Sequence, residues 1–228
     1  MEFLPNGFTL ELCDGAFPLS TDSMALAHFA KLPPNARVLD LGSGCGTLGL
    51  LLCATAQSCH VTGVELEEQA HLAAISNIRR NNIPDRMESI CADLRQVPDF
   101  ITPGGFHCCI SNPPYFSGGP QSKLPNARQE NACHLPDLMR SAAWALKYGG
   151  DFFLVHRPER LGEIIATAAL HGMEAKRLCL LRHREGGSVS LILVQLRKGA
   201  KPGLLWEEWA LHHADGTPTD LYNAIYHI

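Results

Sequence analysis

From Asn35 onward, short apolar runs alternate with longer segments whose apolar residues recur at helical spacing. This alternation is typical of a parallel β-sheet covered by helices on both faces. The pattern predicts seven strands, at 37–42, 60–66, 88–93, 106–112, 151–156, 173–181 and 188–197. It predicts helices at 21–32, 47–56, 67–81, 135–150 and 160–172, with Gly149 and Gly150 as the C-terminal stop of the fourth helix.

The last two predicted strands are separated only by residues 182–187, which are too few for the crossover that a parallel neighbour needs. We therefore expect a Rossmann-like α/β fold, whose mostly parallel seven-stranded sheet ends in an antiparallel hairpin. A single domain is expected, with an N-terminal extension at 1–34 that packs near the ligand site, a core at 35–200 and a C-terminal tail at 201–228. Two tryptophans in the tail are expected to pack against the core, with an interface as the alternative (Trp206 and Trp209).

The bulk composition limits the classes of partner. With 228 residues, of which 46% are hydrophobic, the chain can bury a sizeable core, and its net charge of -4 argues against coating nucleic acid through overall charge. Small basic clusters remain, although each also fits a solvated helix end or loop; they are at 79–80, 157–160, 176–177, 182–184 and 197–201. No long apolar run or secretory signal is present, so we expect a cytoplasmic protein that does not enter a membrane.

The nine cysteines do not predict disulfides or a metal site. Their number is odd, and several lie in apolar runs where cysteine behaves as a small buried residue (Cys53, Cys91, Cys108, Cys109 and Cys179). No C-x-x-C pair occurs, and the eleven histidines lack metal-ligand spacing. We expect reduced thiols and no metal.

A glycine-rich segment, VLDLGSGCG, connects the first predicted strand to a helix. Glycine there allows a tight turn and a close approach of the backbone to a ligand. Thr47 stands where a dinucleotide fingerprint requires its third glycine, and the preceding acid suits an ammonium group better than a diphosphate. Candidate cofactor contacts here are Asp40, Gly42, Ser43, Gly44 and Gly46.

Two further acids end the next predicted strands. Glu65, followed by Leu66, lies where a carboxylate can accept hydrogen bonds from ribose hydroxyls, although an acid at a helix start is the alternative. Asp93, preceded by Ala92, can accept from an adenine amino group, although aspartate also caps helices and turns.

The segment SNPPYF follows the fourth predicted strand, so Asn112 is expected at the carboxyl edge of the sheet, where such folds bind ligands. N-P is also a common turn dipeptide. The amide of Asn112 and the carbonyl of Pro113 can accept both hydrogens of an NH2 group and orient its nitrogen. Pro114 stiffens the loop, and Tyr115 and Phe116 can stack on a planar substrate. The segment predicts a clamp for a planar NH2 group.

With these motifs the sequence resembles the class I amino-methyltransferases that carry NPPY, and most closely the bacterial tRNA N6-adenine methyltransferases that modify the adenosine beside the anticodon. The resemblance extends over LSTDSMALAHFA, VLDLGSGCG, GVELE, SNPPYF, NARQE, HRPERL and KPGL. The terminal hairpin also separates this kind of sheet from a dinucleotide-binding one.

The resemblance implies a specific reaction and set of residues. It implies that Gly42, Gly44, Glu65 and Asp93 hold S-adenosylmethionine, and that residues 112–115 hold the adenine of a tRNA anticodon loop. Arg128 would contact a phosphate, whereas Gln129 replaces the histidine usual in that family, which leaves its role open. A monomer is favoured. Helix capping and the cofactor pocket are equal alternatives for Thr21 and Asp22.

Other functions remain open at this point. Glutamine methyltransferases acting on release factors also carry NPPY, but they usually have a helical domain before the cofactor motif, where this chain has 34 residues. A DNA adenine methyltransferase would need a target-recognition domain that we do not find. A non-catalytic module that binds S-adenosylmethionine or RNA would not need an intact NPPY. A nicotinamide oxidoreductase would need the missing glycine.

Overall fold

The computed structural model describes residues 1–16, 18–113 and 134–226. Its strands are β1 (Glu2–Phe3), β2 (Thr9–Leu10), β3 (Arg37–Leu41), β4 (His60–Glu65), β5 (Met87–Cys91), β6 (Phe106–Ser111), β7 (Leu146–His156), β8 (Met173–Arg184), β9 (Val189–Lys198) and β10 (Leu205–His212). Its α-helices are α1 (Thr21–Phe29), α2 (Thr47–Thr55), α3 (Glu68–Arg80), α4 (Val97–Phe100), α5 (Leu135–Ala145), α6 (Leu161–Leu170) and α7 (Asp220–Tyr226).

The main sheet has the strand order β10-β8-β9-β7-β6-β3-β4-β5. Its pairs are parallel except for β9, which is antiparallel to both β7 and β8. The Rossmann-like α/β fold with a C-terminal antiparallel hairpin is therefore confirmed. β1 and β2 form a separate antiparallel pair.

The predicted number of strands was wrong, because the main sheet has eight. The additional strand, β10, lies within the predicted tail and pairs in parallel with β8 at the sheet edge. Two adjacent glutamates obscure its apolar alternation in the sequence, and cross-strand ion pairs hold both. Arg177 on β8 lies 2.7 Å from Glu207, and Arg182 lies 3.2 Å from Glu208.

Helices cover both faces of the sheet, as predicted. One core cluster places α1, α2 and α3 against one face, and the other places α4, α5 and α6 against the opposite face. In the first cluster, Trp209 packs edge-on against Phe29 at 5.8 Å between ring centroids, whereas Trp206 is exposed. Four of the cysteines expected to be buried are buried, but Cys91 is exposed at the end of β5.

The helix predicted for 135–150 is shorter, because α5 ends at Ala145 and Leu146 begins β7. Leu146 pairs with Phe106 of β6, so tertiary pairing overrides the stop expected at the two glycines. The Nζ atom of Lys198 donates to the carbonyl oxygens of Ala143 and Leu146 at 2.6 and 2.8 Å, which satisfies acceptors at the helix end. On α3, Leu72 is exposed, whereas Ala74 and Ile78 are buried.

Among the described residues, no helix is long and apolar enough to cross a membrane.

Candidate active site

A cavity of about 550 Å³ lies at the carboxyl ends of β3, β4, β5 and β6. This is the edge at which open α/β sheets bind ligands, and the volume suits a small-molecule cofactor. The predicted site residues in its wall are Gly42, Ser43, Gly44, Glu65, Leu66, Ala92, Asp93, Asn112 and Pro113. Residues far apart in the sequence thus meet at one cavity.

The glycine loop, residues 42–46, has a backbone shape that requires glycine. Gly42 and Gly44 have φ angles of 75° and 55°, and a Cβ atom added to either would meet nothing within 4 Å. The loop is fixed to the neighbouring strand, because the amides of Gly42 and Ser43 donate to the carbonyl oxygen of Val64 at 2.9 and 3.1 Å. Its glycines leave the backbone accessible to a ligand.

Glu65 at the end of β4 is held in place by backbone amides. Its Oε2 atom accepts from the amide of Gly44 at 2.7 Å, and its Oε1 atom accepts from the amide of Glu67 at 2.9 Å. Each carboxylate oxygen can accept more than one hydrogen bond. Glu65 can therefore brace the glycine loop and still accept from a ligand.

Asp93 caps the segment that follows it, which is the alternative role that the sequence allowed for an aspartate at this position. It accepts from the backbone amide of Arg95 at 2.9 Å and from the guanidinium of Arg95, with Nη2 at 2.5 Å from Oδ2. The hydrogen bonds from Arg95 hold the pKa of Asp93 below its usual value. Because Asp93 also lies in the cavity wall, capping and ligand contact are compatible here.

Asn112 follows β6, and its side chain contacts α1. Its Nδ2 atom donates to the Oγ atom of Ser23 at 3.0 Å, which fixes the rotation of the amide. Pro113 lies beside it in the wall. The remaining predicted clamp and substrate residues, Pro114, Tyr115, Phe116 and Arg128, lie outside the described residues.

Two predicted cofactor residues lie outside the cavity wall. Gly46 faces α3 and β5, since a Cβ atom there would lie 2.9 Å from the Cε atom of Met87 and 3.4 Å from the Cβ atom of Ala74. Asp40 is fully buried on β3, and no described group makes a well-aligned hydrogen bond to its carboxylate oxygens, although the nearby backbone amide of Gly49 partly stabilises its charge. Burial, assisted by the charge of Glu65, raises the pKa of Asp40 to about 7.

The electrostatic character of the cavity is acidic. Among the described residues, five carboxylates line it and no lysine or arginine does. An acidic wall attracts a cation and repels a diphosphate. The acids are Asp14, Asp22, Glu65, Glu67 and Asp93.

Comparison with known proteins shows the family of this chain. The model of the methyltransferase small domain family matches residues 20–170. The chain belongs to this family. It is 32% identical to a tRNA1(Val) (adenine(37)-N6)-methyltransferase of Tolumonas auensis over 201 residues, which cover 85% of this chain and 81% of the relative. It is 30% identical to the protein of the same name from Vibrio campbellii, with coverage of 85% and 81%.

A solved structure confirms the fold of this methyltransferase. A protein of Agrobacterium tumefaciens, described as a predicted O-methyltransferase, superposes with a TM-score of 0.76 at 23% identity and covers 91% of this chain and 96% of its own. At that identity the likeness concerns the fold alone.

The N-terminal extension was expected near the ligand site, but the sequence did not identify which of its residues line the methyltransferase cavity. Residues 12–16, 18, 20 and 23 line it, and those at 12–18 carry no motif that would have indicated this. Helix capping and the cofactor pocket were equal alternatives for Thr21 and Asp22, and Asp22 lines the cavity. Thr21 instead contacts the hydroxyl of Tyr226 at 2.6 Å, and Ser20 caps α1 by accepting from the amide of Ser23.

Proposed function

We propose that this methyltransferase transfers a methyl group from S-adenosylmethionine to the N6 atom of an adenine in the anticodon loop of a tRNA. The observation that carries the proposal is the position of Asn112 and Pro113 in the wall of an acidic, glycine-lined cavity. The names of the relatives, tRNA1(Val) (adenine(37)-N6)-methyltransferases, support the choice of substrate.

The described residues fit S-adenosylmethionine. The cofactor would bring a methyl group on a positively charged sulfur, together with an ammonium group, and five carboxylates face the cavity. The accessible backbone of Gly42 and Gly44 would lie against the cofactor, Glu65 would accept from ribose hydroxyls and Asp93 from the adenine amino group. Leu66 and Ala92 would supply apolar contacts. Ser43, within the glycine loop, would contact the cofactor from the cavity wall.

The clamp would act by orientation. An adenine amino nitrogen is a weak nucleophile because its lone pair is delocalised into the ring. Asn112 Oδ1 and the Pro113 carbonyl oxygen would accept its two hydrogens and favour a lone pair directed at the methyl carbon. The hydrogen bond from Asn112 Nδ2 to Ser23 fixes the direction of Oδ1. We assign stacking on the base to Tyr115 and Phe116.

An RNA substrate needs cations beside the site and an accessible base. Arg157 follows β7 and Arg184 ends β8, so both lie at the same sheet edge as Asn112. Lys176, Arg197 and Lys198 lie at the opposite edge, so the basic residues do not form one surface. Phosphates beside the target would therefore bind near β7 and β8. The target base must be unstacked, as in a loop, before it reaches the clamp.

The test is methyl transfer from labelled S-adenosylmethionine to total tRNA from a strain that lacks the gene, followed by nucleoside mass spectrometry. We expect N6-methyladenosine, and a loss of at least about 100-fold in kcat/KM for Asn112→Ala. Asn112→Asp is the matched variant, because it keeps the size and one acceptor oxygen, and it should retain more activity than the alanine variant. Cofactor affinity, measured separately, reports whether each variant folds.

The same assay separates the alternatives. Label in a release factor and none in tRNA would assign the protein to the glutamine methyltransferases. Label in neither, with cofactor binding intact, would contradict both substrates.

A further inference from the structure

The cofactor cavity is closed on one side by the N-terminal strap, residues 9–16. Five consecutive strap residues line the cavity: Leu12, Cys13, Asp14, Gly15 and Ala16. The strap begins with β2, which among the described residues pairs as a strand only with the two-residue strand β1. So short a hairpin is not stable alone, and the position of the strap must depend on contacts with the core.

Two asparagines, Asn77 on α3 and Asn81 directly after its end, take the place of a neighbouring strand. Asn81 Oδ1 accepts from the amide of Thr9 at 2.8 Å, and Asn81 Nδ2 donates to the Thr9 carbonyl oxygen at 2.7 Å. Asn77 repeats the pattern with Glu11, accepting from its amide at 2.9 Å and donating to its carbonyl oxygen at 2.8 Å. Each side-chain amide thus pairs with both backbone groups of one strap residue.

The spacing of the two asparagines explains why the arrangement fits. Four residues along a helix advance about 6 Å, and two residues along a strand advance about 6.6 Å. Asn77 and Asn81 are therefore separated along the helix by nearly the distance that separates Thr9 from Glu11 along the strap. A fully extended segment can lie along α3 with its alternate residues paired.

Asn77 differs from Asn81 in having a partner in the glycine loop. Its Nδ2 atom also donates to the carbonyl oxygen of Cys45 at 3.0 Å, and its side chain is fully buried. One amide thus joins the strap, the helix and the loop. The strap and loop also touch directly, because the Sγ atoms of Cys13 and Cys45 are 3.6 Å apart.

We propose that Asn77 is a positioning residue for cofactor binding, which holds the N-terminal strap and the glycine loop at a fixed separation and so sets the width of the cavity. Asn77 does not line the cavity itself, and it acts through Glu11 and Cys45. The proposal rests on the proposed function only for the identity of the cofactor. It does not depend on the methylated substrate.

The test compares Asn77→Ala with Asn81→Ala in the full chain. The two changes remove equivalent side-chain amides, each of which pairs with one strap residue, and Asn81 makes its third bond to the Asn77 carbonyl oxygen at 2.8 Å. Only Asn77 reaches the glycine loop. Titration calorimetry with S-adenosylmethionine and S-adenosylhomocysteine, without RNA, should show affinity about tenfold weaker for Asn77→Ala than for Asn81→Ala.

Kinetics give a readout that lost stability alone would not move. For Asn77→Ala we expect a raised KM for the cofactor, with kcat at saturating cofactor within about twofold of the wild type. Equal cofactor affinities in the two variants would overturn the inference. So would a reduced kcat with unchanged cofactor affinity.

Hydrogen exchange on the wild-type protein tests the same coupling even if Asn77→Ala does not fold. Adding S-adenosylhomocysteine should slow exchange at the amides of strap residues 9–16 together with those of glycine loop residues 42–46. Protection of the loop with an unchanged strap would overturn the inference and leave the proposed function standing. Absence of cofactor binding by the wild type would contradict the cofactor, and with it this role of Asn77.

Discussion

Asp40 gives the sharpest prediction, because it is a fully buried carboxyl group whose charge is stabilised only in part, by the backbone amide of Gly49. Burial and the charge of Glu65 raise its pKa from 3.8 to about 7. Asp40→Asn keeps the size of the side chain and removes the ionisation. We expect the variant, without cofactor, to gain stability relative to the wild type as pH rises.

The sign and size follow from linkage. Because the folded-state pKa of Asp40 lies above its unfolded value, the unfolded chain loses this proton first, and the wild type loses stability as pH rises from 3.8 towards about 7. A rise of about 3 pKa units corresponds to about 4 kcal/mol. The stability difference between Asp40→Asn and wild type should thus be about 4 kcal/mol more favourable to the variant at pH 8 than at pH 4.

The assay is urea unfolding of both proteins at several pH values between 4 and 8. A pH-independent difference in unfolding free energy between the amide variant and the protonated wild type cancels, because the test compares only how the difference between the two proteins changes with pH. Asp99→Asn is the control, since Asp99 is exposed on α4 and its replacement also removes one carboxylate. A difference that stays constant with pH would refute the inference that burial raises the pKa of Asp40.

Three further changes test other parts of the structure. Gly44, at the cavity, has a φ angle of 55°, and Gly186, in the turn after β8, has a φ angle of 73°. Each glycine-to-alanine change should cost about 1–2 kcal/mol of unfolding free energy, measured by urea unfolding. Calorimetry should show cofactor binding at least about tenfold weaker for Gly44→Ala and unchanged for Gly186→Ala. Ser23→Ala should lower kcat at saturating cofactor about tenfold, because the Asn112 amide loses its hydrogen bond to Ser23; an unchanged kcat would contradict this. Lys198→Met should cost about 1–3 kcal/mol of unfolding free energy by leaving two carbonyls at the end of α5 without a donor, while cofactor affinity stays unchanged.

The sheet and the position of the cavity could be predicted because both depend on strong local signals. Strands β3 to β9 read as apolar runs, and the length of the connection between β8 and β9 identified the hairpin. Glu65, Asp93 and Asn112 were expected at one edge because each directly follows or ends a parallel strand, and they line one cavity.

Elements determined by pairing with distant residues could not be predicted. β10 is an edge strand whose glutamates become compatible with a sheet only when Arg177 and Arg182 of β8 lie opposite them. The N-terminal strap is a further case. Its partners are the side chains of Asn77 and Asn81, 66 and 72 residues away, and single asparagines in a helix give no pattern that indicates a strand-like contact.

The charges around Asn112 imply that the two ligands approach from different directions. On the side of β4 and β5, Glu65, Glu67 and Asp93 line the cavity, which favours a cation and opposes a polyanion. On the other side, Arg157 and Arg184 follow or end β7 and β8. An RNA bound there would lie away from the acidic wall, with only the flipped base crossing to the clamp. Asn112 follows β6, at the boundary between the two halves, which is where a cationic methyl donor and a nucleotide of a polyanion could meet.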